Sequence, residues 1–143
     1  MATFQFRACP DNSETPWQIC VLCNDTVVVE STSINKPTTI TYTFDDDVEK
    51  YHGIVIQVSG KRDQDTTVDE QGNIVRDSLL EFSDFMLDDI DISQLVYNKS
   101  KYLHDLNGHS KPVEQQFFGK AGCNGQIHFE FRSSIYVWLL EEM

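Results

Sequence analysis

The sequence is poor in the features that simple identifications rest on. Its 143 residues hold four cysteines: Cys9, Cys20, Cys23 and Cys123. Two disulfides could join them in any of three connectivities, but a chain of this length folds without staples and Met1–Ala8 has no secretory hydrophobic region. A reducing, cytoplasmic setting is the expectation. Lys and Arg number 11 against 23 acidic residues, for a formal net charge of −12 and a pI near 4.5. That balance argues against general nucleic-acid binding, which needs clustered cations on phosphates. No apolar run approaches the ~20 residues of a membrane helix. A Gly-x-Ser-x-Gly elbow, a Walker loop, an HExxH helix and a dinucleotide fingerprint are all missing. No pair among the acidic residues stands out as an acid and base, so the chain is expected not to be an enzyme.

What is present is a short-range alternation of apolar and polar residues. Nine Phe, five Tyr and two Trp are too many for a disordered acidic chain, and the length suits one domain with a single core, residues 1–143. Strands are expected at Thr3–Arg7, Trp17–Cys23, Thr26–Glu30, Thr38–Phe44, Gly53–Ser59, Ile74–Val75 and Leu79–Leu87. Further strands are expected at Gln94–Tyr97, Glu114–Phe118, Gln126–Arg132 and Ile135–Leu140. Asn24-Asp25 reads as a tight turn, and Asp45–His52 and Asp88–Gln94 as helical turns, the second capped by Asp91 or Ser93. Many short strands separated by turn residues predict an all-β fold, an antiparallel two-sheet sandwich of jelly-roll type.

Within that fold the chemistry-bearing residues sort as follows. Cys20 and Cys23 have a zinc-like spacing, but positions i and i+3 of a strand face opposite ways, so their thiolates diverge. From Phe44 to Ile92, fourteen acidic residues against four basic ones leave −10 of the total −12. Asp63, Asp65 and Asp69 supply hard oxygen ligands at the density a Ca2+ loop needs, without the EF-hand pattern. Asp45–Asp47 with Asp88, Asp89 and Asp91 form a second such group. The alternative is a solvated acidic loop, with Asp69–Asn73 a hairpin turn whose left-handed position is Gly72. His104 and His109 fall in Tyr102–His109, read as a polar loop, and His128 sits mid-strand. Trp17, Tyr51, Tyr97 and Tyr102 lie in or beside loops and are the candidates for stacking on a ligand such as a glycan. Tyr136, Trp138 and Leu140, in an ending segment that is apolar on both faces, are the candidates for an interface.

Several stretches carry a resemblance. Leu87-Asp-Asp-Ile-Asp-Ile-Ser-Gln-Leu95, Tyr102-Leu-His-Asp-Leu-Asn-Gly108, Phe118-Gly-Lys-Ala-Gly-Cys-Asn-Gly125 and Ile135-Tyr-Val-Trp-Leu-Leu-Glu141 resemble small virion-associated or accessory proteins of large contractile-tailed marine phages, notably cyanophages. Asp69-Glu-Gln-Gly-Asn-Ile-Val75 fits the same pattern, and the similarity spans about residues 50–143. The resemblance implies a virion component assembled in host cytoplasm, with other virion proteins or further copies of itself as partners, and no catalytic residues to carry over. Two other classes remain open. One is a carbohydrate-binding module, which such sandwiches resemble in architecture and which often holds a structural Ca2+. The other is a small acidic inhibitor of a host protein.

Overall fold

A computed structural model describes residues 1–142. Alternation decides the first strand: in β1 (Ala2–Pro10) Ala2, Phe4, Phe6 and Ala8 are buried while the residues between them are not. β2 (Gln18–Cys23) and β3 (Thr26–Ser33) join through the left-handed pair Asn24 (φ 51°) and Asp25 (φ 68°), the turn expected there. β4 (Thr38–Phe44) and β5 (Lys50–Ser59) follow. A short hairpin comes next, β6 (Thr67–Val68) with β7 (Ile74–Arg76), and then β8 (Leu80–Leu87) and β9 (Ile90–Asp91). Helix α1 (Ser93–Lys99), β10 (Lys101–His104), β11 (Val113–Gln116), β12 (Lys120–Ala121), β13 (Gly125–Ser133) and helix α2 (Ile135–Glu142) complete the order.

Two antiparallel sheets stack face to face as a sandwich. One runs β12-β8-β1-β4, with β9 attached to β8; the other runs β11-β10-β13-β5-β2-β3. Their inner faces meet in aromatic contacts: Phe4 of β1 lies 5.6 Å from Phe131 and 6.2 Å from Phe129 of β13, and Phe44 of β4 lies 5.2 Å from Phe131. Phe82 and Phe85 both point inward although they stand three positions apart, which a regular strand would place on opposite faces. A left-handed residue at Asp84 (φ 55°) and a register shift against β1 form a bulge that resets the alternation. Gly60 is required by space: its φ is +98°, and a Cβ there would lie 1.9 Å from the Pro16 carbonyl oxygen.

Lys61 ties the acidic 62–76 excursion to the sandwich. Its ammonium, with the side chain 2% exposed, donates to the Asp77 carboxylate and to the Gly122 carbonyl. Its backbone N–H donates to Asn124 Oδ1 at 2.9 Å, and Asn124 Nδ2 donates back to its carbonyl at 3.0 Å. Burial alone would raise the Asp77 pKa, but hydrogen bonds from Lys61, Thr66 and the Ser78 N–H outweigh it and hold the carboxyl below its ordinary range.

Four expectations need correction. The segment from Ile135 is a helix: Ile135, Trp138 and Leu139 are buried at i, i+3 and i+4, and the Ile135 N–H donates to Asp46 Oδ1 at 2.8 Å. Gln94–Tyr97 belongs to α1, entered through Asp91, which accepts from the Ser93 N–H at 2.9 Å. Only Asp46–Val48 turns within Asp45–His52, because β5 already begins at Lys50. Tyr102–His104, expected in a loop, is instead strand β10, registered against Gly125–Ile127 of β13.

Candidate functional site

The structure separates the three aspartates offered for calcium. Asp65 pairs with Arg62 at 2.9 Å, and that hydrogen bond holds its carboxyl below the usual range. Asp63 Oδ1 lies 3.0 Å from His109 Nε2. Asp69 Oδ1 accepts from the backbone N–H groups of Gln71 and Asn73 and so shapes the hairpin turn, with Gly72 left-handed at φ +82°. Among the described residues no three His, Cys, Asp or Glu side chains converge to hold a metal ion, so neither Asp63, Asp65 and Asp69 nor the Asp45–Asp47 and Asp88–Asp91 group forms a centre. Cys20 faces out of β2 and Cys23 faces in, and all four cysteines are free.

The four aromatic candidates also part ways. Trp17 is fully buried, its indole N–H donating to Ser78 Oγ at 3.3 Å, and Tyr102 is buried with its hydroxyl donating to the Cys123 carbonyl. Neither reaches solvent, so neither stacks on a ligand. Tyr97 is half-buried against Phe85 and Phe117, its hydroxyl bonded to the Phe82 carbonyl. Tyr51 alone presents a largely free ring, 48% exposed.

Tyr51 stands on the outer face of the six-stranded sheet, in a cleft of about 810 Å3. Residues of the same parity on β5 and β13 face outward together: Tyr51 opposite Arg132, Gly53 opposite Glu130, and Val55 opposite His128. The Tyr51 ring leans over the bare Cα of Gly53, where a Cβ would come within 3.0 Å of the ring. Its hydroxyl donates to Glu130 Oε2 at 2.6 Å, a bond that pushes the phenol pKa up. Asn24 fixes the backbone beneath: its Nδ2 donates to the Tyr51 carbonyl and its Oδ1 accepts from the Gly53 N–H, both at 2.8 Å. Asp25, Lys101 and His128 line the rest, and Trp138 and Glu142 of α2 close one side. A second hollow, about 230 Å3, lies across the Tyr51–Glu130 ridge. Of these residues the sequence reading named Tyr51 as a ligand contact and Trp138 as an interface residue. The others come from separate elements and share no local signal.

A different surface forms on α2. Tyr136, Val137 and Leu140 are 58%, 57% and 79% exposed, at the i, i+1 and i+4 spacing of one helix face. Tyr136 and Leu140 therefore lie where an interface could reach them, whereas Trp138 is 6% exposed and packs edge-on against Phe129 and Phe131. Helical geometry replaces Trp138 by Val137 on the outward side.

A third cluster is interior. His52, 1% exposed, lies 3.7 Å from Cys23 Sγ, 3.2 Å from the Tyr42 hydroxyl and 3.0 Å from Ser133 Oγ. Ser133 Oγ donates to the Val48 carbonyl at 2.6 Å, so His52 Nε2 carries the proton given to Ser133 and Nδ1 accepts from Tyr42. Burial, with the charge of Lys50, lowers the His52 pKa to about 4 against an opposing pull from Asp46. The Cys23–His52 pair has the composition of a nucleophile and base, but both residues are buried and neither lines the cleft. The cluster joins β2, β4, β5 and β13 through polar contacts.

The arrangement is that of a β-sandwich offering a lined cleft on one sheet and an apolar helix face beside it. No family model, no curated protein and no solved structure matches this chain.

Proposed function

We propose that this chain is a non-enzymatic interaction protein that docks on a virion assembly (capsid, tail or baseplate) through the outward face of α2. The observation that carries the reading is the exposure of Tyr136, Val137 and Leu140 together on one helix face. The helix is held in place before any partner arrives. Ile135, Trp138 and Leu139 anchor it to the core, Asp46 caps its start, and Lys99 pairs with Glu142 at its end. A pre-ordered helix loses little conformational entropy on binding, which suits insertion of side chains at i, i+1 and i+4 into an apolar groove of another virion protein. The phage resemblance of Ile135–Glu141 and the three stretches before it supplies the kind of assembly.

The acidic middle third is less suited to the task. Asp65 and Asp77 are each committed to a cation within the chain, Arg62 and Lys61, and so are not free to pair with a basic surface. Attachment to particles is therefore expected to change little between low and high salt, since apolar burial is not screened. Val137→Ser/Leu140→Ser is expected to leave the melting temperature nearly unchanged, because both side chains already face water, and to lower particle occupancy at least about tenfold. Quantitative co-sedimentation with purified particles, read as copies per particle, measures both. Full occupancy by the double variant, or attachment that fades steeply with salt, would contradict docking through α2.

A further inference from the structure

We propose that the cleft over β5 and β13 binds a neutral glycan, with the Tyr51 ring as its stacking platform. This site is separate from the outward face of α2 and does not rest on the docking reading.

Three observations argue for that occupant. The first is the platform itself. The ring rests on one side against Gly53, whose missing side chain makes the space, and the residue is 48% exposed. The C–H face of a pyranose is apolar and weakly positive, and so complements the negative face of an aromatic ring. The hydroxyl tie to Glu130 and the Asn24 clamp on the strand below hold the ring where it stands. A fixed platform avoids the ordering cost that a mobile side chain would incur on binding.

The second is charge. Cations and anions are interspersed around the cleft: Lys99 pairs with Glu142 and Lys101 with Glu114 at 2.9 Å, while Asp25 and Glu130, the latter hydrogen-bonded to the Tyr51 hydroxyl, keep their charge. Lys99 and Lys101 do not outnumber the carboxylates of Asp25, Glu130 and Glu142 in the lining, so nothing there selects an anionic sugar and the occupant is one without formal charge. Carboxylate, amide, imidazole and ammonium groups together offer both acceptors and donors, and a sugar hydroxyl serves as either.

The third is size and shape. A cleft of about 810 Å3 on an open sheet face falls within the range of small-ligand sites, roughly 300–1,000 Å3. The neighbouring hollow beyond the Tyr51–Glu130 ridge continues the path, which suits a chain of sugar units lying across the ring.

The test is titration of the whole protein with neutral oligosaccharides of glucose, mannose and N-acetylglucosamine in α and β linkages, followed by calorimetry and by amide chemical shifts. Saturable binding is expected to at least one, with shifts gathered on Tyr51–Val55 and His128–Glu130. Tyr51→Ala is expected to weaken it at least about tenfold at unchanged melting temperature, whereas Tyr51→Trp retains it. Gly53→Val, which fills the space beneath the ring, is expected to weaken it as well. The proposal is overturned if no neutral sugar binds, if binding is indifferent to Tyr51→Ala, or if only sulfated or uronate sugars bind. Because the α2 face is untouched by these variants, loss of sugar binding with full particle occupancy separates this site from docking.

Discussion

Asp77→Ala is expected to destabilise the protein by on the order of 3 kcal/mol, the scale for a buried ion pair deprived of one partner. The reason lies with Lys61 rather than with the aspartate. Its side chain is 2% exposed, and without Asp77 the ammonium keeps only the Gly122 carbonyl of its two acceptors. Its backbone is held on both sides by Asn124, so the charge cannot readily swing out to water. Asp77 also accepts from Thr66 Oγ1 at 2.7 Å and from the Ser78 N–H at 2.8 Å, and these bonds organise the return from the acidic excursion into β8. Lys61→Met/Asp77→Ala removes both charges and is expected to recover a large part of the loss, since an apolar pair carries no desolvation debt. Urea unfolding of the two variants measures this directly. A loss below about 1 kcal/mol for Asp77→Ala would mean that Lys61 is not committed to the pair.

Acid is expected to weaken the fold in a window set by His52. The folded pKa is about 4, below the ordinary 6.5 of an unfolded histidine. Between these values the unfolded chain takes up a proton that the folded chain refuses. The contribution is therefore complete above pH 6.5, declines as the pH falls, and levels off below about pH 4. Its size is about 3 kcal/mol. Protonating Nδ1 would also cost the hydrogen bond from Tyr42. Below that window the loss continues through Asp65, Asp77 and Asp91, whose carboxyls are held low and whose contributions fade as they protonate. His52→Gln is expected to flatten the pH dependence between 4 and 6.5 while leaving the steeper fall at lower pH. An unchanged slope would mean that His52 is not the group that sets this window.

The sheets were legible in the sequence wherever side chains alternate on a half-buried strand. Phe4 and Phe6, Ile19 and Val21, Ile54 and Ile56, and Phe129 and Phe131 all fall on the faces that alternation assigns them. The ending segment was not legible, because Ile-Tyr-Val-Trp-Leu-Leu is apolar at every position and fits both periods. A contact from Asp46, far away in sequence, accompanies the helical outcome. Tyr102–His104 was hidden for a related reason: its pairing with β13 is long-range, and its composition looks like a polar loop. Trp17 was a candidate for ligand stacking at the edge of a loop, yet Ser78 satisfies its indole and the core takes the rest. The cleft was the least legible feature. Asn24, Lys101, His128 and Glu130 acquire a common role only when four strands and a turn are laid side by side, and of its floor the sequence named only Tyr51 as a ligand contact.

Amide hydrogen exchange of the protein, free and attached to particles, tests the central claim most directly. The account predicts that attachment slows exchange chiefly in Ile135–Glu142, with the β6–β7 hairpin unchanged. Slowing confined to the acidic excursion from Arg62 to Arg76, with α2 exchanging as in the free protein, would contradict it.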